Sequence, residues 1–134
     1  MITREADYGI RVLLQLARRE RAGEGGASSV AIAGEMEIPY RFLRKLVKRM
    51  VAGRLLVSHR GKGGGLELAR PAARITLFDI LEIMAPAGTQ LSQCVAKPNS
   101  CRRAGTCRVH RAIRGIQTSV DRQLRGTTLA SLVE

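Results

Sequence analysis

IPYRFLRKLVKRMVAGRLLVSHRGKGGGL, residues 38–66, decides the fold. Pro39 suits the first turn of a helix, where a missing N–H is tolerated. Leu43, Leu46, Val47 and Met50 then share one helical stripe, and Gly53 ends it, which predicts a helix over about 39–52. Leu55 to Ser58 then reads as a strand. The tip Gly61-Lys62-Gly63-Gly64-Gly65 reverses the chain into Leu66–Ala69, and Pro71 closes the unit. That pattern is a β-hairpin with a longer loop. The stretch carries eight basic residues, Arg41, Arg44, Lys45, Lys48, Arg49, Arg54, Arg60 and Lys62, and no acid. Positive charge is therefore concentrated on one helix and one hairpin.

Upstream, residues 3–19 read as a helix with Ala6, Ile10, Leu13, Leu14 and Ala17 on one face. Thr3 is its candidate N-cap, and Glu5 and Asp7 fall in the favourable first turn. Ala22 to Ala27, with three glycines, reads as a loop, after which Ser28 or Ser29 caps a short helix through Met36. Downstream, Thr76 caps a helix through Ala85 with Leu77, Ile80, Leu81 and Met84 inward, and residues 86–106 read as irregular. A last helix runs from Cys107 to about Leu124. Its stripe Val109, Ile113, Ile116, Val120, Leu124 is spaced 4, 3, 4 and 4, close to a coiled-coil seam. Too little chain surrounds that stripe to cover it within one subunit, so a two-fold dimer is expected. The fold class is mostly α with a small β-hairpin: a winged helix-turn-helix over 1–85, a cysteine-bearing loop over 86–106, and a dimerisation helix with a C-terminal segment over 107–134.

The chain has 134 residues, 45% of them hydrophobic, but only 3% aromatic and no Trp, so aliphatic helix packing must build the core. No apolar run approaches the roughly 20 residues that span a bilayer, and Arg4, Glu5 and Asp7 interrupt the start as no secretory signal does. A cytoplasmic location is expected, with no membrane partner. The net charge of +12 points to a polyanion, because each Lys or Arg that neutralises a phosphate releases a counterion. A helix of this kind places its N-terminal residues at base edges in the major groove. Tyr40, Arg41, Arg44 and Lys45 occupy that end, and Arg can bridge O6 and N7 of guanine. The hairpin glycines allow close approach to a phosphate, while Arg60 can reach into a narrow minor groove.

Cys94, Cys101 and Cys107 fall within fourteen residues and are the chain's three cysteines. An odd, clustered set in a cytoplasmic protein argues for metal or redox chemistry over a disulfide framework. The spacing C-x6-C-x5-C-x2-H ends at His110. Such thiolates can hold zinc, or an iron–sulfur cluster completed by a fourth ligand. Wide gaps suit a loop wrapped around the larger inorganic core. His110 and Cys107 face the same side of the helix start.

Three stretches, "ADYGIRVLLQLA" at 6–17, "IPYRFLRKLVKRMVAGRLLVSHRGKGGGLELARPAARITLFDILEIM" at 38–84 and "TTLASLVE" at 127–134, together with the three cysteines, resemble the winged-helix repressors that include IscR, NsrR and RirA. The resemblance covers essentially the whole chain. It implies a homodimer that binds double-stranded DNA at a palindromic operator and senses iron, redox state or nitric oxide through a cluster. It also implies that Pro39, Tyr40, Arg41, Arg44 and Lys45 form the base-reading end and Arg60 the wing arginine; Lys48 and Lys62 join the DNA-binding set on the charge of the 38–66 span alone. Cys94, Cys101 and Cys107 match the cluster cysteines. His110 matches the histidine that completes a [2Fe-2S] cluster in IscR-like members. Asp7 matches an acidic position that, in NsrR-like members, reaches the cluster of the other subunit. Both [2Fe-2S] and [4Fe-4S] therefore stay open, and the position of Asp7, which has no evident core role, favours the bridging arrangement. Arg44 departs from the glutamate of IscR-like members, so the operator sequence differs or stays unread. Two rivals follow: a cluster-free regulator of cysteine and sulfur metabolism, and an iron–sulfur electron-transfer protein or enzyme. For the enzyme no Ser/His/Asp set or phosphate loop is present, and Gly61–Gly65 lies in a hairpin rather than opening a helix.

Overall fold

The computed structural model describes residues 2–61 and 64–133. Helix α1 spans Arg4–Arg21, α2 Ser29–Glu35 and α3 Tyr40–Ala52. Strands β1, Leu56–His59, and β2, Gly65–Leu68, pair antiparallel with Leu56 opposite Leu68 and His59 opposite Gly65. Helix α4 covers Leu77–Met84, α5 Gln93–Ala96 and α6 Arg108–Gly126. The arrangement is a helix-turn-helix, α2 and α3, followed by a two-stranded wing, with a long helix after it.

Local chemistry sets most boundaries. Thr3 accepts a hydrogen bond from the Ala6 amide and Ser28 one from Ala31, each satisfying an amide that the first turn leaves unpaired. Thr76 and Asp79 form a reciprocal capping box at the start of α4. Pro39 is the N-cap of α3 and lies just outside it, one residue later than the expected start. The wing reverses at Gly61, with φ 94°, and at Gly65, with φ 148°. A β-carbon at Gly65 would stand 2.6 Å from the Ala27 carbonyl oxygen, to which the Leu66 amide donates at 2.7 Å, so only glycine allows this approach.

Helix α1 is central. It packs on α3, α4 and β2 and buries Gly9, Val12 and Leu16 in addition to Ala6, Leu13 and Ala17. The expected stripe therefore rotates: Ile10 and Leu14 lie at its edge, half-buried against the core. Leu43, Leu46 and Met50 of α3, Leu55, Leu56 and Leu66 of the wing, and Ile80 and Met84 of α4 complete that core. The segment 86–106 holds α5 and a 3-10 turn at Pro98–Ser100, where the sequence predicts irregular chain. Ser92 carbonyl accepts from Val95 and Ala96, which closes this single turn without any hydrophobic periodicity.

After α6 the chain returns to the first unit. Leu129 is fully buried, its amide donates to the Ile75 carbonyl, and the Leu77 amide donates to Thr127. Arg125 stacks over the Phe78 ring at 3.5 Å, and Arg21 donates to the Val133 carbonyl. In contrast, Val109 and Ile116 on α6 are 65% and 55% exposed. Ile113, Val120 and Leu124 of that stripe are half-buried, and Leu124 packs against its own core.

Candidate nucleic-acid interface and cysteine site

Helix α3 and β1 flank an open groove of about 870 Å³. Tyr40, Arg41, Arg44, Lys45 and Lys48 line it from α3, and Arg60 from the end of the wing. All six side chains are exposed. Among the described residues none of the five cations makes an ion pair, so their charge faces solvent. Pro39 lines the neighbouring recess instead of the groove, and Lys62 lies outside the described residues. Because Pro39 offers no side-chain cap, the first amides of α3 keep their donor capacity for an anion. Ser29, at the start of α2, and the exposed Val51 also line the groove. Sequence reasoning missed both: a serine beside a helix cap and a valine beyond the core stripe gave no signal.

Arg49 does not belong to this face. Its guanidinium donates to the carbonyls of Ile83, at 2.8 Å, and Met84, at 3.0 Å, and pairs with Glu5. One cation of the recognition helix is thus used inside the subunit, binding α3 to the start of α1 and the end of α4. His59 is also engaged locally, 3.1 Å from Glu67 across the hairpin.

The cysteines gather at the start of α6. Cys107 is its N-cap, and its Sγ accepts from the His110 amide at 3.4 Å. Cys94, on α5, places Sγ 3.4 Å from His110 Nδ1 and 3.1 Å from Ser92 Oγ. One thiol, that of Cys94, therefore meets the imidazole, and the Cys107 thiol caps the same turn, donor chemistry of a kind suited to iron or zinc. Cys101 stands exposed on the loop between them. Asp7 is paired with Arg11 at 2.9 Å, one turn along α1, and is not brought to the cysteines of its own subunit. Among the described residues no three His, Cys, Asp or Glu side chains converge on one ion position. The donor set fits a cluster in kind, and Cys94 and His110 are the members whose side chains lie side by side.

A second feature holds this loop. Gln117 of α6 is buried. Its Nε2 donates to the Thr89 carbonyl at 2.9 Å and to Asp121 Oδ1 at 2.8 Å, and its Oε1 accepts from the Leu91 amide at 2.9 Å. The first residues of the cysteine segment are thus fastened to α6 seven residues past His110. An amide one turn from the apolar stripe of an arginine-rich helix was the available signal, with Asp121 four residues on to receive it.

A helix-turn-helix with a basic recognition helix and a hairpin wing defines a DNA-binding transcription regulator. The chain belongs to the Rrf2 family, iron-dependent transcriptional regulators, whose sequence profile matches residues 2–134. An HTH-type transcriptional regulator of Neisseria meningitidis serogroup A is 31% identical over 135 residues, covering 99% of this chain and 87% of that protein. Protein aau3 of Rhizobium meliloti is 27% identical over 133 residues, covering 99% and 84%. Among solved structures, CymR, the global cysteine regulator of B. subtilis, superposes with a TM-score of 0.79 at 25% identity, covering 99% of this chain and 95% of that one. T. potens IscR superposes with a TM-score of 0.75 at 22% identity, over 99% and 85%, and shares the fold. No described helix is long and apolar enough to cross a membrane.

Proposed function

We propose that the chain acts in the cytoplasm as a homodimeric repressor, reading a palindromic operator with α3 and the wing. The observation that carries the DNA part is the groove itself, five cations with no ion-pair partner among the described residues beside a glycine-tipped hairpin. Arg41, Arg44 and Lys45 stand at the base-reading end, Arg60 enters the minor groove, and Lys48 and Lys62 meet phosphates. The exposed Val109 and Ile116 support a dimer through α6, which would set two recognition helices on successive major-groove faces.

In this reading the cysteine segment is the sensor. Cys94, Cys101 and Cys107 hold an iron–sulfur cluster, with His110 or the Asp7 of the other subunit as fourth ligand. A cluster so held supplies a redox- and iron-sensitive link whose loss alters the chain around it. His110 Nδ1 beside Cys94 supports the ligand set built within one subunit; this turns the preference from Asp7 toward His110 and [2Fe-2S]. Whatever occupies the site regulates only as far as it favours the DNA-competent arrangement over the other.

The cluster-free alternative has its own support: likeness to a cysteine regulator and the outlying position of Cys101. Anaerobic purification with iron and acid-labile sulfide analysis separates the two. Iron and sulfide in equal amounts, with an absorption band in the visible, are expected, and all three signals should vanish in Cys94→Ala. Metal-free protein that binds its operator with wild-type affinity would overturn the sensor reading and leave the cluster-free one.

A further inference from the structure

Across α3 from the groove lies a second recess, of about 510 Å³, lined by Arg4, Tyr8, Pro39, Arg41, Phe42 and Lys45. Its floor is aromatic. The rings of Tyr8 and Phe42 meet edge-to-face with centroids 5.4 Å apart, which fixes the start of α1 against the start of α3. Its rim is cationic, with Arg4, Arg41 and Lys45 all exposed.

The two acids beside Arg4 on α1 are committed elsewhere. Glu5, next to Arg4, pairs with Arg49, and Asp7 pairs with Arg11. Arg4, Arg41 and Lys45 form no ion pair among the described residues. Three cations around one small recess repel one another, so the site gains by taking up an anion.

The recess is continuous with the groove, because Arg41 and Lys45 line both. A strand of duplex whose base edges face the groove therefore passes its backbone over this side of α3. We infer that the recess seats a backbone phosphate of the operator, with Arg4 as a contact that α1 adds to those of α3 and the wing. This assignment rests on the DNA reading above and names a position that it does not include. The contact reads charge and carries no sequence information, so it acts alike on every duplex. It also fixes register, since it clamps the DNA at the end of the recognition helix where bases are read.

Arg4 is suited to the test because it is exposed and makes no described contact that the fold needs. Fluorescence anisotropy would follow two labelled duplexes of equal length, one taken from upstream of the chain's own coding sequence and one scrambled, over roughly 50–200 mM salt. Arg4→Ala should weaken both by about three- to tenfold and lower the slope of log affinity against log salt by about one, whereas Arg4→Lys should restore most of each. Arg44→Ala serves as the comparison and should weaken the upstream duplex more than the scrambled one. Unchanged affinity and slope in Arg4→Ala, with Arg44→Ala behaving as stated, would overturn the phosphate seat and leave the DNA reading standing. Loss confined to the upstream duplex would make Arg4 a base reader, which also overturns it. A shift in the monomer–dimer balance of Arg4→Ala by sedimentation would assign the recess to a subunit contact instead. Wild-type protein that binds neither duplex would remove the DNA reading and this inference together.

Discussion

Replacing Arg49 by Ala separates the two uses the chain makes of its arginines. The carbonyls of Ile83 and Met84 belong to the last turn of α4, where intrahelical partners run out, and Arg49 supplies a charged donor to both. A hydrogen bond to a charged group contributes about 1.5–3 kcal/mol when shielded. The Arg49 side chain is 38% exposed, so water replaces part of each bond and about 1 kcal/mol apiece is the better figure. The pair with Glu5, itself half-exposed, adds roughly 0.5 kcal/mol. Together Arg49→Ala should destabilise by about 2–3 kcal/mol and lower the urea midpoint by about 1–2 M. Arg44→Ala, on the same helix but without a described partner, should stay within about 0.5 kcal/mol of wild type. Both belong at one protein concentration, because any dimer links stability to concentration. Equal stability of Arg49→Ala and wild type would refute the structural role of Arg49, and equal losses in the two variants would refute the division between them.

Four further outcomes test other parts of the structure. Gln117→Leu removes the bonds to Thr89 and Leu91 at a cost of about 1–3 kcal/mol, and trypsin should then cut at Lys97, Arg102 or Arg103 several-fold faster; unchanged cleavage would show that Gln117 does not hold the segment. Gly65→Ala forces a β-carbon into the Ala27 carbonyl and should destabilise by roughly 2–4 kcal/mol by urea titration, so a neutral result would contradict the wing geometry. Leu129→Ala should lose about 2–5 kcal/mol although it lies beyond the last helix, and a surface-like effect would detach the C-terminal segment from the core. Ile116→Glu with Val120→Glu should yield folded monomers with weak DNA binding; a wild type that sediments as a monomer at micromolar concentration would contradict the α6 dimer.

Helices α1 to α4, α6 and the wing were legible because local rules point the same way at each of them. Thr3, Ser28 and Thr76 cap where they should, Gly53 ends α3, and the glycine run of 61–65 demands a reversal whatever surrounds it. The rotation of α1 was not legible, because which face is buried depends on three neighbours packing on it at once. Val12 and Leu16 lie on its hidden side, while Ile10 and Leu14 fit a simple stripe equally well until α4 and β2 are in place. The return of Leu129 escaped for a related reason: eight residues hold no period, and their partner, Ile75, is more than fifty positions away.

For the site, residue type was readable and assignment was not. All eight basic residues of 38–66 look alike in sequence, yet Arg49 sits one helical turn from Lys45 and turns inward, toward carbonyls that only the end of α4 presents. The same limit applies to the cysteines. Spacing puts three thiols and a histidine within reach, but α5, a turn with no hydrophobic pattern, decides that Cys94 rather than Cys101 meets His110. The loop is held at one end by Gln117 and at the other by Cys107 capping α6, with Cys101 exposed between these two anchors. The stretch between α5 and α6 that carries Cys101 lies between these anchors, and Cys94 and His110 are held side by side. If the proposed cluster is held here, a loop fixed at both ends would let its middle donor, Cys101, join without releasing either anchor, so Cys101→Ala should leave the Gln117 and Cys107 anchors in place while removing the third thiolate.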